Sequence, residues 1–423
     1  MTTKYNWFSL SPLMLFVAVY LGLSIYLDDF YKVPVTVAFM VSCVYGVLIS
    51  RGLRLEERVE VFSSGAGDKN LLMMIWIFVL AGAFAKSAQA MGAVDATVKV
   101  ALWLLPSSFI IPGLFLASCF ISISVGTSVG TIVALTPVAV GIAQQIGASV
   151  PMVTAVVVGG AFFGDNLSFI SDTTVVATKT QGCEMRDKFK ANARIVFPAA
   201  AVMLVICFFM GSGVSTPDVG GEIQYIKVVP YLAVLVTALM GVNVMTVLAG
   251  GIVLTAAVGL ASSSYDLPGL VQSMGDGIMG MGELIIVTLL AGGMLGLIRH
   301  NGGLDYLTRV LTSRVKSRRG AELCIGLLVA VTDICTANNT IAILTAGPVA
   351  KDIADKYGIS PRRSASLLDT FSCFAQGLIP YGAQLLMASA LASVTPIDII
   401  RYLYYPLILG IVALVFIIVS RKD

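Results

Sequence analysis

The chain has 423 residues, of which 57% are hydrophobic and only 12% charged, and its mean hydropathy is +0.92. Soluble domains carry roughly 25% charged residues, so the composition excludes a water-soluble fold and, with it, catalysis on a large soluble substrate. The net charge of +3 is no more than membrane-flanking Lys and Arg supply, and basic residues never interleave with aromatics as on a nucleic-acid surface. The expected partners are therefore a lipid bilayer and small solutes, not nucleic acid.

Lys4 precedes an apolar stretch from Phe8 to Leu27 that lacks a small-residue cleavage signal, which reads as a first span rather than a secretory peptide. Further spans follow near 31–50, 70–90, 106–125, 131–146, 151–180 and 194–214. After a polar linker from Gly211 to Gln224 the second half repeats the pattern, giving about fourteen apolar passes with both termini cytoplasmic. The 106–125 and 131–146 pair also suits a re-entrant hairpin tipped by GTSVGT (126–131). Seven scattered cysteines without a CxxC pair form neither a zinc site nor a disulfide framework.

The chain resembles itself at an offset of about 210 residues, as transporter repeats do. LAG at 80–82 pairs with LAG at 290–292, Gly92 and Asp95 with Gly302 and Asp305, Thr127 with Thr336, TIVALT (131–136) with TIAILT (340–345), and Gly147 with Gly358. Loop charge gives the relative orientation, because Lys and Arg accumulate on the cytoplasmic side. Segments 51–69, 179–194, 301–320 and 351–363 hold eighteen Lys/Arg, whereas their counterparts 261–281, 390–405, 91–106 and 141–151 hold two. The sign reverses between halves, so the expected fold is an all-α polytopic membrane protein of two inverted-topology repeats, 1–215 and 216–423. Interrupted helices or re-entrant hairpins should meet at its midplane.

Polar breaks interrupt the apolar spans at 126–131 and 164–174 in the first half, and at 333–340 (DICTANNT) and 369–382 in the second. A carboxylate in hydrocarbon is costly, so an ionisable residue at membrane depth marks function, and unwound backbone there is tolerable only where it lines a cavity. The candidate ion- and substrate-binding residues are Thr127, Asp165, Asn166, Ser168, Asp172, Thr173, Asp333, Thr336, Asn338, Asn339, Thr340, Asp369 and Gln376. Their ligand atoms are oxygens, which suit a hard cation, and the single histidine, His300, argues against zinc or copper. Na⁺ at Asp165 and Asp172, in competition with H⁺, is the natural reading, and no cofactor is required. Structural readings stand beside it: Asp165 and Asp172 as caps of a helix break, Asp369 as a helix-end charge near Arg362 and Arg363, Lys86 snorkelling outward, and His300 in a surface loop.

The run GAFFGDNLSFISDTT (160–174) resembles the signature of the NhaC-type sodium/proton antiporter family, G-A-Y-F-G-D-K-L-S-P-L-S-D-T-T, and Asp369 with LIPYG (378–382) resembles its second-half pattern. The resemblance implies a bacterial inner-membrane cation/proton antiporter, for which a homodimer is one possible assembly. Asn166 and Phe169 replace the lysine and proline of the signature, and Asn338-Asn339 stand where relatives carry Asp-Gln. With fewer charges at the site, a Na⁺- or H⁺-coupled carrier of an amino acid or small carboxylate is the alternative, its passenger walled by Phe162, Phe163, Phe169, Phe374 and Tyr381. An intramembrane aspartyl protease is a third class, but Phe162 occupies the first glycine of the Gly-x-Gly-Asp motif, and no HExxH is present.

Overall fold

The computed structural model describes residues 7–26, 34–50, 52–104, 106–168, 171–212, 224–240, 242–313 and 315–419. Phe169, most of the 211–224 linker and the 215/216 boundary lie outside the described residues. Long apolar runs bounded by Gly, Pro, Ser and Asn fold into helices, the only regular secondary structure among the described residues. The first half contains α1 (Ser11–Tyr26), α2 (Val35–Ile49), α3 (Leu55–Ala66), α4 (Lys69–Met91), α5 (Ala93–Leu104), α6 (Ile110–Val125), α7 (Ser128–Ile146), α8 (Val150–Leu167), α9 (Asp172–Gln181) and α10 (Met185–Met210). The second contains α11 (Val229–Leu239), α12 (Val244–Ala261), α13 (Leu267–Gly280), α14 (Gly282–His300), α15 (Gly303–Thr312), α16 (Arg318–Thr336), α17 (Asn339–Tyr357), α18 (Pro361–Gln376), α19 (Ala383–Ala392), α20 (Pro396–Ile400) and α21 (Tyr404–Val419).

The halves carry matching elements in the same order, with α10 answered by α20 and α21. Helices α7 and α17 are each 19 residues long, contain an interior proline (Pro137, Pro348) and stop at a left-handed glycine (Gly147, Gly358). Each is entered through a left-handed residue, Gly126 at φ 72° and Ala337 at φ 52°, followed by an extended one, Thr127 or Asn338, both at φ −150°. An alanine in that left-handed region costs about 1–2 kcal/mol that glycine avoids. The backbone thus corrects the sequence alignment: Thr127 corresponds to Asn338, not to Thr336.

Span 151–180 is cut between α8 and α9, and its counterpart between α18 and α19, as the polar breaks predict. By length and composition six helices among the described residues can each cross a membrane, or seven with one bent pair counted as a span. That is fewer than the apolar runs suggest, because breaks and bends divide several runs into shorter helices.

The two halves interleave reciprocally. Helix α4 packs on α12 and α13, while its counterpart α14 packs on α2 and α3; α9 lies against α17 and α18, and α19 against α7 and α8. Two crossings are backbone on backbone. A Cβ at Gly277 would fall 2.1 Å from the Gly82 carbonyl oxygen, and one at Gly65 would fall 2.5 Å from that of Gly292. Small residues allow such close approach in membranes. At the centre, α8 is buried from Val153 to Leu167. It is held against α6 where Ser118 and Ser122 hydroxyls donate to the Val157 and Ala161 carbonyls at 2.6 and 2.7 Å.

Candidate functional site

Four helix N-termini meet where the spans are broken. Helices α7 and α17 start at Ser128 and Asn339, and α9 and α19 start at Asp172 and Ala383. All four residues line one cavity of about 90 Å³. Its wall is completed by Met73, Met74 and Ile77 of α4 and by Gly126, Thr127, Val129, Asp165, Thr173, Asn338, Thr340, Gln376 and Gln384. The volume exceeds the roughly 10–15 Å³ needed for one water, yet is well below the roughly 300–1,000 Å³ of drug-sized pockets. It accommodates a cation with part of its hydration shell.

Asp165 sits in the last turn of α8, where the helix dipole alone would disfavour a carboxylate. Its surroundings reverse that. Ser128 Oγ donates to Oδ2 at 2.8 Å and Asn339 Nδ2 to the same oxygen at 3.3 Å, while Ser171 Oγ donates to Oδ1 at 2.7 Å. Ser128 and Asn339 are the first residues of α7 and α17, so the carboxylate lies between positive helix ends contributed by the two halves. Asp165 is 5% exposed, whereas Asp172, at the first position of α9, is exposed on the cavity wall.

The second-half break is built from amides. Gln376 Nε2 donates to the Ala337 carbonyl at 3.1 Å and to Gln384 Oε1 at 2.8 Å, and Gln384 Nε2 donates to Ser128 Oγ at 3.0 Å. One hydrogen-bonded chain therefore runs from Gln376 through Gln384 and Ser128 to Asp165. Gln376 Oε1 accepts no hydrogen bond among the described residues. Asn338 caps α17, its Oδ1 accepting from the Ile341 amide at 3.0 Å, but Thr127 makes no equivalent side-chain cap on α7.

Five expected site residues lie off the cavity wall. Ser168 secures the break to α6 by donating to the Ile123 carbonyl at 2.7 Å, and Thr336 donates to the Asn338 carbonyl at 3.1 Å. Asp333 is fully buried, with no hydrogen bond to either carboxylate oxygen among the described residues. Asn166 turns away toward α10, where Asn192 Nδ2 donates closely to its Oδ1. Asp369 is buried in the middle of α18 and paired with Lys188 rather than placed at a helix end. Its neighbour in sequence, Arg363, pairs instead with Glu322 at 2.9 Å.

The expected aromatic wall is not formed by the described residues, since Phe162, Phe163, Phe374 and Tyr381 are absent from the cavity lining. Phe163 packs on Phe197 and Tyr405, and Tyr381 meets Phe16 and Phe39 edge-on. Methionine and isoleucine take that place. Sequence reasoning also missed Ser128, Ser171 and Gln384, which carry no charge to flag them, and Lys188, counted with the cytoplasmic loop cations of 179–194 although it is 1% exposed. Gln384 lies just beyond the 369–382 break, as the second residue of α19, in the place that corresponds to Thr173 in the first half. Lys86 is exposed and donates to Gln89 at 3.3 Å, and His300 is exposed, as read from the sequence.

Chemically the cavity offers two carboxylates with hydroxyl and amide oxygens. No group of three His, Cys, Asp or Glu side chains gathers anywhere among the described residues. Carboxylate, hydroxyl and amide oxygens are ligand types that suit a hard cation.

Residues 6–212 and 221–420 match the family model described as the Na⁺/H⁺ antiporter family. The chain is 26% identical over 381 residues to the Na⁺/H⁺ antiporter NhaC of Bacillus subtilis, covering 80% of this chain and 82% of that protein. It is 22% identical over 410 residues to the malate-2H⁺/Na⁺-lactate antiporter of the same organism, covering 88% and 86%. Among solved structures it is similar to the YdaH transporter of Alcanivorax borkumensis, with a TM-score of 0.46 and 13% identity over 90% of this chain and 97% of that one.

Proposed function

Since the chain belongs to the Na⁺/H⁺ antiporter family, we propose that it exchanges Na⁺ for H⁺ across a bacterial inner membrane, with Asp165 and Asp172 as the exchanging carboxylates and both termini cytoplasmic. The observation that carries this reading is the setting of Asp165: a buried carboxylate on the wall of a small cavity lined by polar and apolar side chains, at the seam where helix ends from both halves converge. A carboxylate in such a place is neutralised by a proton or by a cation, and the two compete. Release of one and capture of the other on opposite faces then gives coupled exchange by alternating access.

The halves act as inverted repeats in this scheme. Reciprocal packing of α4 with α12 and α13, and of α14 with α2 and α3, supports a two-fold relation, and the reversal of loop charge supports an axis in the membrane plane. A second reading, exchange or symport of a small carboxylate, is favoured by one feature. The N-termini of α7, α9 and α19 lack side-chain caps, which leaves backbone amides for an anion. Proteoliposomes decide between the two. Na⁺-driven proton movement with no organic solute supports the antiporter, while movement that requires a particular carboxylate or amino acid transfers the assignment to the second reading.

A further inference from the structure

Behind the cavity lies a second polar cluster that the exchange scheme does not use. Lys188, at the cytoplasmic end of α10 by loop charge, points inward. Its ammonium donates to the Asn166 carbonyl at 2.7 Å and to Thr174 Oγ1 at 2.6 Å, and forms a close ion pair with Asp369. All three N–H groups of a lysine are thereby engaged, in a place where its side chain is 1% and that of Asp369 0% exposed. Asn192 Nδ2 donates to the same Asp369 oxygen at 3.1 Å and to the Asn166 carbonyl at 2.9 Å, which ties α8, α10 and α18 together.

We infer that Lys188 is a built-in counter-cation: it occupies Asp369 throughout the cycle and withdraws that carboxylate from exchange. Two further observations support the assignment. Asp369 is absent from the cavity lining that includes Asp165 and Asp172. The pair also occurs in one half only. The places matching Asp369 and Lys188 in the other half are Val158 and Ile399, both 0% exposed and both uncharged. Burial at these two places does not by itself call for a charge, which leaves the pair to be explained by what its charges do. Lys188 neutralises Asp369 in place of a transported ion, and this role rests on the exchange reading given above.

The test compares single and double substitutions by Na⁺-driven proton movement in proteoliposomes. Lys188→Met and Asp369→Asn each strand one buried charge and should each lower the maximal rate more than about tenfold. The double variant strands none. It should recover to within about threefold of the unaltered rate, with its KM for Na⁺ changed by less than about twofold, because the cation's ligands are untouched. A double variant no better than the singles, or one with a strongly raised KM, overturns the inference by placing Asp369 among the exchanging ligands. So does a fully active Lys188→Met.

Reductive methylation of the unaltered protein, read by mass spectrometry, gives an answer even if a variant does not fold. Lys188 should remain unmodified with and without Na⁺ while exposed Lys179 and Lys190 react, and labelling of Lys188 in either condition refutes permanent pairing. If the unaltered protein moves no protons in response to Na⁺, the exchange reading fails, whereas the methylation result still judges the pairing.

Discussion

The two helix breaks have the same geometry and different chemistry. Asp165 in α8 corresponds to Gln376 in α18, and Asp172 at the start of α9 corresponds to Ala383 at the start of α19. All four line the same cavity. The first-half break therefore presents two carboxylates, while the second-half break presents an amide and a methyl group. The two frameworks match in geometry, and the carboxylates lie in one of them. The other contributes donors and a helix end.

Matched substitutions test this division. The largest effect is expected from Asp165→Asn, which should reduce Na⁺-driven proton movement to the level of protein-free liposomes, because an amide takes up neither a proton nor a cation in exchange. Retained exchange would move the function elsewhere. Next come Gly65→Ala and Gly277→Ala, equivalent positions at the two backbone crossings. Each should cost about 1–3 kcal/mol through overpacking, seen as a lower unfolding temperature in detergent. If only one destabilises, the frameworks are not equivalent.

Asp172→Asn should raise the KM for Na⁺ about tenfold while leaving measurable turnover, since that carboxylate is exposed on the cavity wall and pairs with the dipole of α9. An unchanged KM would reduce Asp172 to a helix-end charge. The smallest effect should come from Gln376→Ala, which removes hydrogen bonds to Ala337 and Gln384 worth about 1 kcal/mol each, and so slows exchange severalfold. Loss as complete as that of Asp165→Asn would erase the contrast between the halves.

What could be read from the sequence follows from cost. Carboxylates and glycine-hydroxyl runs inside apolar spans are expensive, so Asp165, Asp172 and all four breaks stood out before any fold was known. The register within a break did not. Thr127 and Thr336 match as letters, but helix geometry pairs Thr127 with Asn338, because the left-handed residue before each helix sets the count. Ser128 and Gln384 acquire their roles only when the halves interleave, which local sequence does not encode. Lys188 misled for a physical reason: it begins a long helix close to the membrane face, where lysines usually reach water, and only packing against Asp369 reveals the opposite orientation. The aromatic residues misled likewise, because large rings fill a core as readily as they line a pocket.

The three donors on Asp165 differ in what they can give an arriving ion. Ser128 and Ser171 are ambivalent, since a hydroxyl that turns its hydrogen aside offers a lone pair in the same place. Asn339 has no such option. Its amide presents N–H to the carboxylate at 3.3 Å, while its oxygen accepts from the Thr340 backbone N–H at 3.1 Å, so offering that oxygen to a cation requires the amide to turn over. Asn339 is the first residue of α17, so such a turn would take place at the start of a helix of the opposite half. On the exchange reading Na⁺ would compete with the Asn339 N–H for one carboxylate oxygen, and so would weaken one of several links between the halves, beside those from Gln384 to Ser128 and from Lys188 to Asp369.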